Sequence, residues 1–346
     1  MHPVLTVFFD VVLQPSCMHT LTENRTRELL ASAAQKRIAV VGDIMLDRYF
    51  WGSVQRISPE APVPVVDIER ESAHLGGASN VAANLQSLGA EPFMLGLIGE
   101  DSSGNTVLDL LRASGMTTGG IVTDTTRPTT VKTRVLGNNQ HITRLDREIK
   151  TPIDNAVAER LLAALHKEGT ALAGIILEDY NKGVITPFLL QSVIAFAKER
   201  SLPIFVDPKL ANFFEYRTVT LFKPNKKETQ DALGFSLSND NDVRKAGNIL
   251  LERLQCENVL ITLGAQGMML FEKSGTVSSV STKARHVADV SGAGDTTIAT
   301  LATMVAAGAG IVEASALANS AAGAVCEEPG IVAITPERLL EAVREE

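Results

Sequence analysis

The period of hydrophobic and polar positions changes along this chain, and the changes mark its elements. From residue 153 onward short apolar runs alternate with longer stretches of helical period. The runs at 174–177, 203–206, 219–222 and 259–263 read as buried strands. Residues 156–165, 187–200 and 243–254 place apolar side chains three and four apart and read as helices. Earlier, 37–41 and 93–98 have strand character, while 81–88 and 104–114 are helical. Strands alternating with helices predict a parallel sheet covered on both faces. Two segments break this rhythm. Residues 54–68 carry Pro59, Pro62 and Pro64, which exclude a helix and point to an exposed or edge strand. Residues 129–146 alternate around Gly137-Asn138-Asn139, a hairpin signal. Near the C-terminus, 298–307 and 314–325 are almost wholly small or apolar, as expected of two closely packed buried helices.

Polar clusters follow the strands. Glu178-Asp179-Tyr180-Asn181-Lys182-Gly183, Asp207-Pro208-Lys209, Lys223-Pro224-Asn225-Lys226-Lys227-Glu228 and Gly264-Ala265-Gln266-Gly267 all fall there. In an open α/β sheet ligand groups converge at those ends. The most informative stretch is Ala288-Asp289-Val290-Ser291-Gly292-Ala293-Gly294-Asp295-Thr296-Thr297. Its glycines let backbone approach a ligand, and its amides, at the start of a helix, form a positive pocket for an anion. Asp295 at that mouth is either a plain N-cap or a base that takes a proton from a hydroxyl beside a bound phosphoryl group. Gly76-Gly77 is a second glycine turn, after which Ser79 is expected to cap a helix and Asn80 to meet a sugar hydroxyl. Asp43 and Asp47 are expected near the end of the first strand, Asp47 either as a ligand group or as a cap or surface ion pair. The hairpin carries Lys132, Arg134, Arg144 and Arg147, either as a solvated face or as a phosphate clamp. In the second Ala-rich helix, Asn319 is the candidate for ligand contact.

Composition narrows the classes. Hydrophobic residues make up 45% of 346 and charged residues 21%, ordinary for a globular enzyme. A net charge of -8 argues against nucleic acid as the main partner. Cys17, Cys256 and Cys326 have no metal or redox spacing, and an odd, low count suits a reducing cytoplasm. Residues 4–13 are apolar but contain Asp10, and are too short to span a bilayer. No membrane partner is expected. Met18 is an alternative start, and residues 1–17 are given no function.

These motifs, in this order, resemble the ribokinase, or PfkB, family of sugar kinases, over residues 36 to 343. Gly76-Gly77-Ala78-Ser79-Asn80 looks like its first signature and Asp289 to Thr296 like its second. Asn225-Lys226-Lys227-Glu228 is similar to its Asn-x-x-Glu motif, and Thr262 to Gly267 to its nucleotide loop. Within the family, residues 42–49, 56–65, Asn139-Gln140 and Arg144-Leu145-Asp146 resemble the heptose 7-phosphate kinases of bacterial lipopolysaccharide synthesis. Glu178 departs from the pattern, which has a small residue there.

The resemblance implies a ribokinase-like three-layer α/β/α fold, with a mostly parallel central sheet and a small β-sheet lid. Residues 1–35 would be an extension and 36–343 the kinase domain, with lid strands within 54–68 and 129–146. It implies ATP, Mg²⁺ and, at Asp289, a monovalent cation such as K⁺. The implied reaction transfers the γ-phosphoryl group of ATP to the anomeric hydroxyl of D-glycero-β-D-manno-heptose 7-phosphate. Asp295 would be the base, and the amides of Gly292, Ala293 and Gly294 the phosphoryl cradle. Asn225 and Glu228 would organise Mg²⁺ through water. Thr262, Gly264, Gly267 and Asn319 would line the nucleotide site. Asp47, Gly76, Gly77 and Asn80 would grip the sugar, and Arg134, Arg144 and Lys182 its phosphate. A homodimer through the lid strands is implied as well. In many bacteria this kinase is fused to a nucleotidyltransferase with a His-x-Gly-His motif; none of the six histidines forms one, so a stand-alone kinase is expected.

The alternatives are a kinase for fructose 6-phosphate or tagatose 6-phosphate, and a non-catalytic sensor on the same fold. A P-loop or dinucleotide enzyme is disfavoured, because neither glycine fingerprint is present.

Overall fold

The computed structural model describes residues 21–138, 140–281 and 287–345. Its strands, in chain order, are β1 (Arg37–Gly42), β2 (Ile44–Ile57), β3 (Pro64–Gly77), β4 (Glu91–Gly99), β5 (Ile121–Asp124), β6 (Thr130–Gly137) and β7 (Gln140–Arg147). They continue with β8 (Leu172–Glu178), β9 (Ile204–Asp207), β10 (Leu221–Phe222), β11 (Asn258–Thr262), β12 (Met268–Glu272) and β13 (Val277–Val280). The helices that frame the site are α1 (Glu23–Ala33), α2 (Ala78–Ser87), α3 (Ser102–Ala113), α4 (Asn155–Glu168), α5 (Pro187–Glu199), α6 (Lys226–Leu233), α7 (Asp240–Leu254), α8 (Ala293–Ala306), α9 (Ile311–Cys326) and α10 (Pro336–Arg344).

Two sheets result. The large one runs β13-β12-β11-β10-β9-β8-β1-β4-β5, parallel except where β12 pairs antiparallel with β11 and β13. One core cluster, with Val40, Ile176 and Leu260, lies on the face covered by α2, α8 and α9. The other, with Val41, Leu177 and Ile261, lies under α4, α5 and α7. Adjacent residues of one strand therefore enter opposite cores, which is why these strands read as unbroken apolar runs. The three-layer α/β/α architecture expected from the sequence is the one observed.

The small sheet has the order β3-β2-β6-β7 and is mixed: β2 pairs antiparallel with β3 and parallel with β6. The chain enters it one residue after β1, so β2 starts at Ile44 rather than in the proline-marked stretch. Asp47 thus lies within a strand. The prolines occupy the β2–β3 turn and the first position of β3, where a missing N–H is tolerated. β5, β12, β13, α1, α6 and α10 add to the elements expected from the sequence. Residues 23–33, counted as extension by sequence, form α1, which buries Ala33 and packs Leu29 into the core cluster under α8 and α9. The His74-to-Asn80 segment also differs from expectation. Gly77 occupies the N-cap of α2 at φ 58, and Ser79 Oγ donates back to the Gly76 carbonyl at 2.7 Å instead of capping. Among the described residues, no helix is long and apolar enough to cross a membrane.

Candidate active site

α8 begins where a glycine is needed. Gly292 has φ 82, in the left-handed region, and a Cβ there would meet Asn80 Nδ2 at 3.1 Å. The helix starts with Thr296 N–H donating to the Gly292 carbonyl. Ala293 N–H is committed to the Val290 carbonyl at 3.3 Å. The amides of Gly292 and Gly294 have no partner among the described residues, at the positive end of a 14-residue helix. Gly294 faces a buried ion pair: a Cβ on it would stand 3.6 Å from Asp207 Oδ2 and 3.8 Å from Lys223 Nζ.

Asp295 is not the cap of this helix, since Gly292 holds that position and no side chain caps it. Its carboxylate is buried and held by two donors from distant segments. Asn80 Nδ2 on α2 donates to Oδ2 at 2.7 Å. The Tyr180 hydroxyl, from the loop after β8, donates to Oδ1 at 2.7 Å. Burial pushes its pKa up to about 6, while the Asn80 and Tyr180 hydrogen bonds oppose the rise. Asn80 therefore meets the Asp295 carboxylate itself. The Tyr180 ring has Lys132 Nζ 4.9 Å and Lys209 Nζ 5.1 Å from its centroid.

The strand ends beside Asp295 carry more charge. Glu178, at the end of β8, is fully buried, and burial holds its carboxyl well above the usual range, with the Asp207 and Asp295 charges adding to the rise. Asp207 ends β9 and accepts from Lys223 Nζ at 2.7 Å. Burial alone would lower Lys209, but Asp207 and Glu228 raise it above the ordinary lysine range. Its ammonium donates to Glu228 Oε1 at 2.6 Å. Asn225 and Glu228 form a capping box on α6: Asn225 Oδ1 accepts from Glu228 N–H at 2.9 Å, and Glu228 Oε2 accepts from Asn225 N–H at 2.8 Å. The Asn-x-x-Glu motif thus orders its own helix start.

A cavity of about 310 Å³ opens beside Gly294. Thr262, Gly264, Gly267, Ala293, Thr297, Asn319, Gly323 and Cys326 are among its lining residues. Gly264 and Gly267 both have positive φ in the turn between β11 and β12. Asn319 donates to the Ser281 carbonyl at 3.0 Å on one side of the cavity. The four nucleotide-site candidates therefore converge on one wall system, next to the unpaired amides.

The small-sheet candidates do not converge as free cations. Arg134 is paired with Asp47 and lies over the Tyr49 ring. Lys182 donates to Glu148 at 2.6 Å, and Arg144 is engaged with Asp146 on an exposed stretch of β7. Gly76 and Gly77 leave room for this protein's own atoms. A Cβ on Gly76 would be 2.0 Å from Asp47 Oδ2, and one on Gly77 2.4 Å from the Asp43 carbonyl. Asp43 itself accepts backbone N–H groups of Tyr180, Lys182 and Val184, so it anchors the loop that carries Tyr180. Asp289 ties its loop down through Ser291 N–H and Gly330 N–H. Asn139 lies outside the described residues. Sequence reasoning assigned no role to Tyr180, Asp207, Lys209 or Lys223, and Lys132, expected on a solvated face or in a phosphate clamp, instead lies over the Tyr180 ring. The clustering of polar residues after β8, β9 and β10 was the available signal.

The comparisons with known proteins agree with this geometry. Residues 35–338 match the pfkB family carbohydrate kinase. The bifunctional protein HldE of Geobacter sulfurreducens is 41% identical over 320 residues, which are 92% of this chain and 65% of that protein. HldE of Helicobacter pylori is 42% identical over 295 residues, 85% of this chain and 64% of that protein. The chain thus spans slightly less than two thirds of the length of these relatives. Among solved structures, a putative ribokinase from Agrobacterium tumefaciens aligns with a TM-score of 0.74 at 21% identity, over 90% of this chain and 98% of that one. Phosphofructokinase-2 from Escherichia coli in complex with potassium aligns with a TM-score of 0.73 at 18% identity, again over 90% and 98%. These two similarities establish the fold. The chain belongs to the pfkB family of carbohydrate kinases. It is a phosphotransferase that acts on a sugar hydroxyl.

Proposed function

We propose that the protein transfers the γ-phosphoryl group of ATP to the anomeric hydroxyl of D-glycero-β-D-manno-heptose 7-phosphate. The products are ADP and the 1,7-bisphosphate. The observation that carries the transfer chemistry is the placing of Asp295 between two distant donors, beside two unpaired amides and the cavity next to Gly294. A carboxylate raised to about 6 is still mostly ionised at neutral pH and is more basic than an ordinary one. Asp295 takes the hydroxyl proton as the sugar oxygen attacks phosphorus and the bond to the ADP oxygen breaks. Gly292 and Gly294 amides, with the helix dipole, stabilise the charge on the migrating group.

The choice of heptose phosphate rests on the sequence motifs and on the similarity to HldE. Arg134, two thirds of the way along β6, is our candidate for the sugar phosphate, reached when Asp47 turns to the sugar hydroxyls. Arg144 and Lys182 would supplement it. Gly76, Gly77 and Asn80 would shape the floor under the sugar. Mg²⁺ would be held through water by Glu228 and Asn225, because both Glu228 oxygens already accept a hydrogen bond and each keeps a lone pair. It would supply charge neutralisation of the nucleotide phosphates. K⁺ is proposed at Asp289. We place the protein in the cytoplasm and in ADP-heptose synthesis for lipopolysaccharide.

The small sheet would serve as lid and dimer surface. It leaves Ile57, Val63, Ile68 and Leu145 more than half exposed, and β3 is a long edge strand. An Ile57→Asp, Ile68→Asp double variant should run as a monomer in sedimentation where the parent runs as a dimer; a parent that is already monomeric rules this surface out. For the substrate, purified protein with Mg-ATP is offered a panel of phosphosugars and ADP release is followed. The heptose phosphate should give the highest kcat/KM. Faster turnover of fructose 6-phosphate or tagatose 6-phosphate would transfer the assignment to them.

A further inference from the structure

We propose that Asn84 is a positioning residue that holds Asn80 and Asp295 in register across α2 and α8. The inference rests on the reading of Asp295 as the base. Asn84 stands one turn after Asn80 on the same face of α2 and is fully buried. Its Nδ2 donates to the Asn80 carbonyl at 2.9 Å and lies 3.5 Å from Asn80 Oδ1. Its Oδ1 accepts from the Thr296 hydroxyl at 3.1 Å and from Ile334 N–H at 3.0 Å. Thr296 is the residue after Asp295 in α8, and Ile334 lies just before α10. One amide therefore joins α2 to segments 212 and 250 residues further along the chain.

These bonds fix which way each amide faces. With two donors on Oδ1, Asn84 presents Nδ2 to Asn80. That group faces Asn80 Oδ1, which leaves Asn80 Nδ2 to donate to Asp295 Oδ2 at 2.7 Å. An Asn80 amide turned over would set its oxygen against the carboxylate, lone pair to lone pair. On the other side, the Thr296 hydroxyl pins the turn of α8 that carries Asp295. A leucine at position 84 would fill a similar volume and favour the helix more, but would remove the acceptor of a buried hydroxyl and a buried N–H. Asn84 has no exposed surface for a substrate to touch, so it acts through these neighbours.

The Asn80 bond has a chemical consequence. It opposes the rise that burial imposes on Asp295, whose pKa stands at about 6. Asp295 is also faced by Glu178 and Tyr180 from the end of β8 and its loop, by Asp207 from β9 and by Lys223 after β10, none of them a partner of Asn84. When Asn80 is no longer held, the opposing donor is lost and the pKa of Asp295 climbs further. A base works in its ionised form, so activity is present above that pKa and lost as pH falls through it. The acid limb of kcat then moves to higher pH.

The test is the pH profile of kcat for Asn84→Leu, with Mg-ATP and D-glycero-β-D-manno-heptose 7-phosphate both saturating and melting curves to show that the variant is folded. At neutral pH kcat should fall by about tenfold, with KM for both substrates within about twofold of the parent and the acid limb raised by about half a unit to one unit. Asn84→Ala, which leaves room for a water in place of the amide, is the second variant and should show a smaller change in the same direction. A merely structural loss would lower kcat by one factor at every pH and leave the limb where it is. That result, or parent kinetics in either folded variant, overturns the proposal. Asp295→Asn is run alongside. If it keeps parent turnover, Asp295 is not the base and both readings fall; if it is inactive while the Asn84 variants behave as the parent, only the role of Asn84 fails.

Discussion

The two sheets arrange their charged groups differently. At the C-terminal edge of the large sheet, charged groups are buried and locked: Asp295 by two donors, Lys223 on Asp207, Lys209 on Glu228. The two donors to Asp295 lie 215 and 115 residues away in the chain, so its carboxylate cannot move without them. On the small sheet the cations pair within the sheet or just beyond it: Arg134 with Asp47 across neighbouring strands, Arg144 with Asp146 two residues on. On the proposed function the large sheet would serve the transfer step, and the small sheet, once its pairs exchange for a ligand's phosphate, recognition. Substitutions in the first should lower kcat, and in the second raise KM.

The strongest test of that division is Asp295→Asn. Its turnover should fall by about 10²–10⁴-fold, the range for loss of a general base, while ATP still binds by calorimetry. Near-parent turnover would remove Asp295 from the chemistry and collapse the contrast. Next is Tyr180→Phe, which deletes one donor and keeps the ring between its two lysines. Loss of a hydrogen bond to a charged group, about 1.5–3 kcal/mol, predicts a kcat lower by about 10–100-fold. On this reading Tyr180 would act through Asp295 as a positioning residue. An unchanged kcat with a raised KM would move it to the recognition side.

On the small sheet, Arg134→Ala should raise KM for the phosphosugar by about tenfold, with kcat changed less, as loss of one charge-assisted contact implies. A lowered kcat at constant KM would show that the two sheets do not divide the work. The smallest effect is expected for Arg144→Ala. Its guanidinium is 59% exposed and satisfied by Asp146, so steady-state kinetics should change by less than about twofold. A tenfold rise in KM would instead put Arg144 in the phosphate clamp.

Much of this was legible before any coordinates. Alternating apolar runs announced the parallel sheet, because a strand buried on both faces has no polar period to hide it. The glycine loop at 292–294 announced the glycine-opened helix start, since a φ of 82 at Gly292 is a local demand. Asn-x-x-Glu was visible as a motif, but its capping-box geometry was not separated from a ligand role. Ser79 misled, as it stands where a cap would stand in sequence while Gly77 takes that place in space. Gly76 misled for a related reason: the close approach it permits is that of Asp47, a side chain 29 positions away in sequence and next to it only because β2 and β3 pair.

The sequence alone determined the layer architecture, the glycine-opened helix and the residue types at each strand end, because these follow from local period and backbone preference. Only the tertiary structure decided which carboxylate is held by which donor, that Glu178 is buried with no partner among the described residues, and that Arg134 and Arg144 are paired. Those outcomes depend on distances between segments separated by tens to hundreds of residues, and on the loss of water between them, which no local pattern encodes.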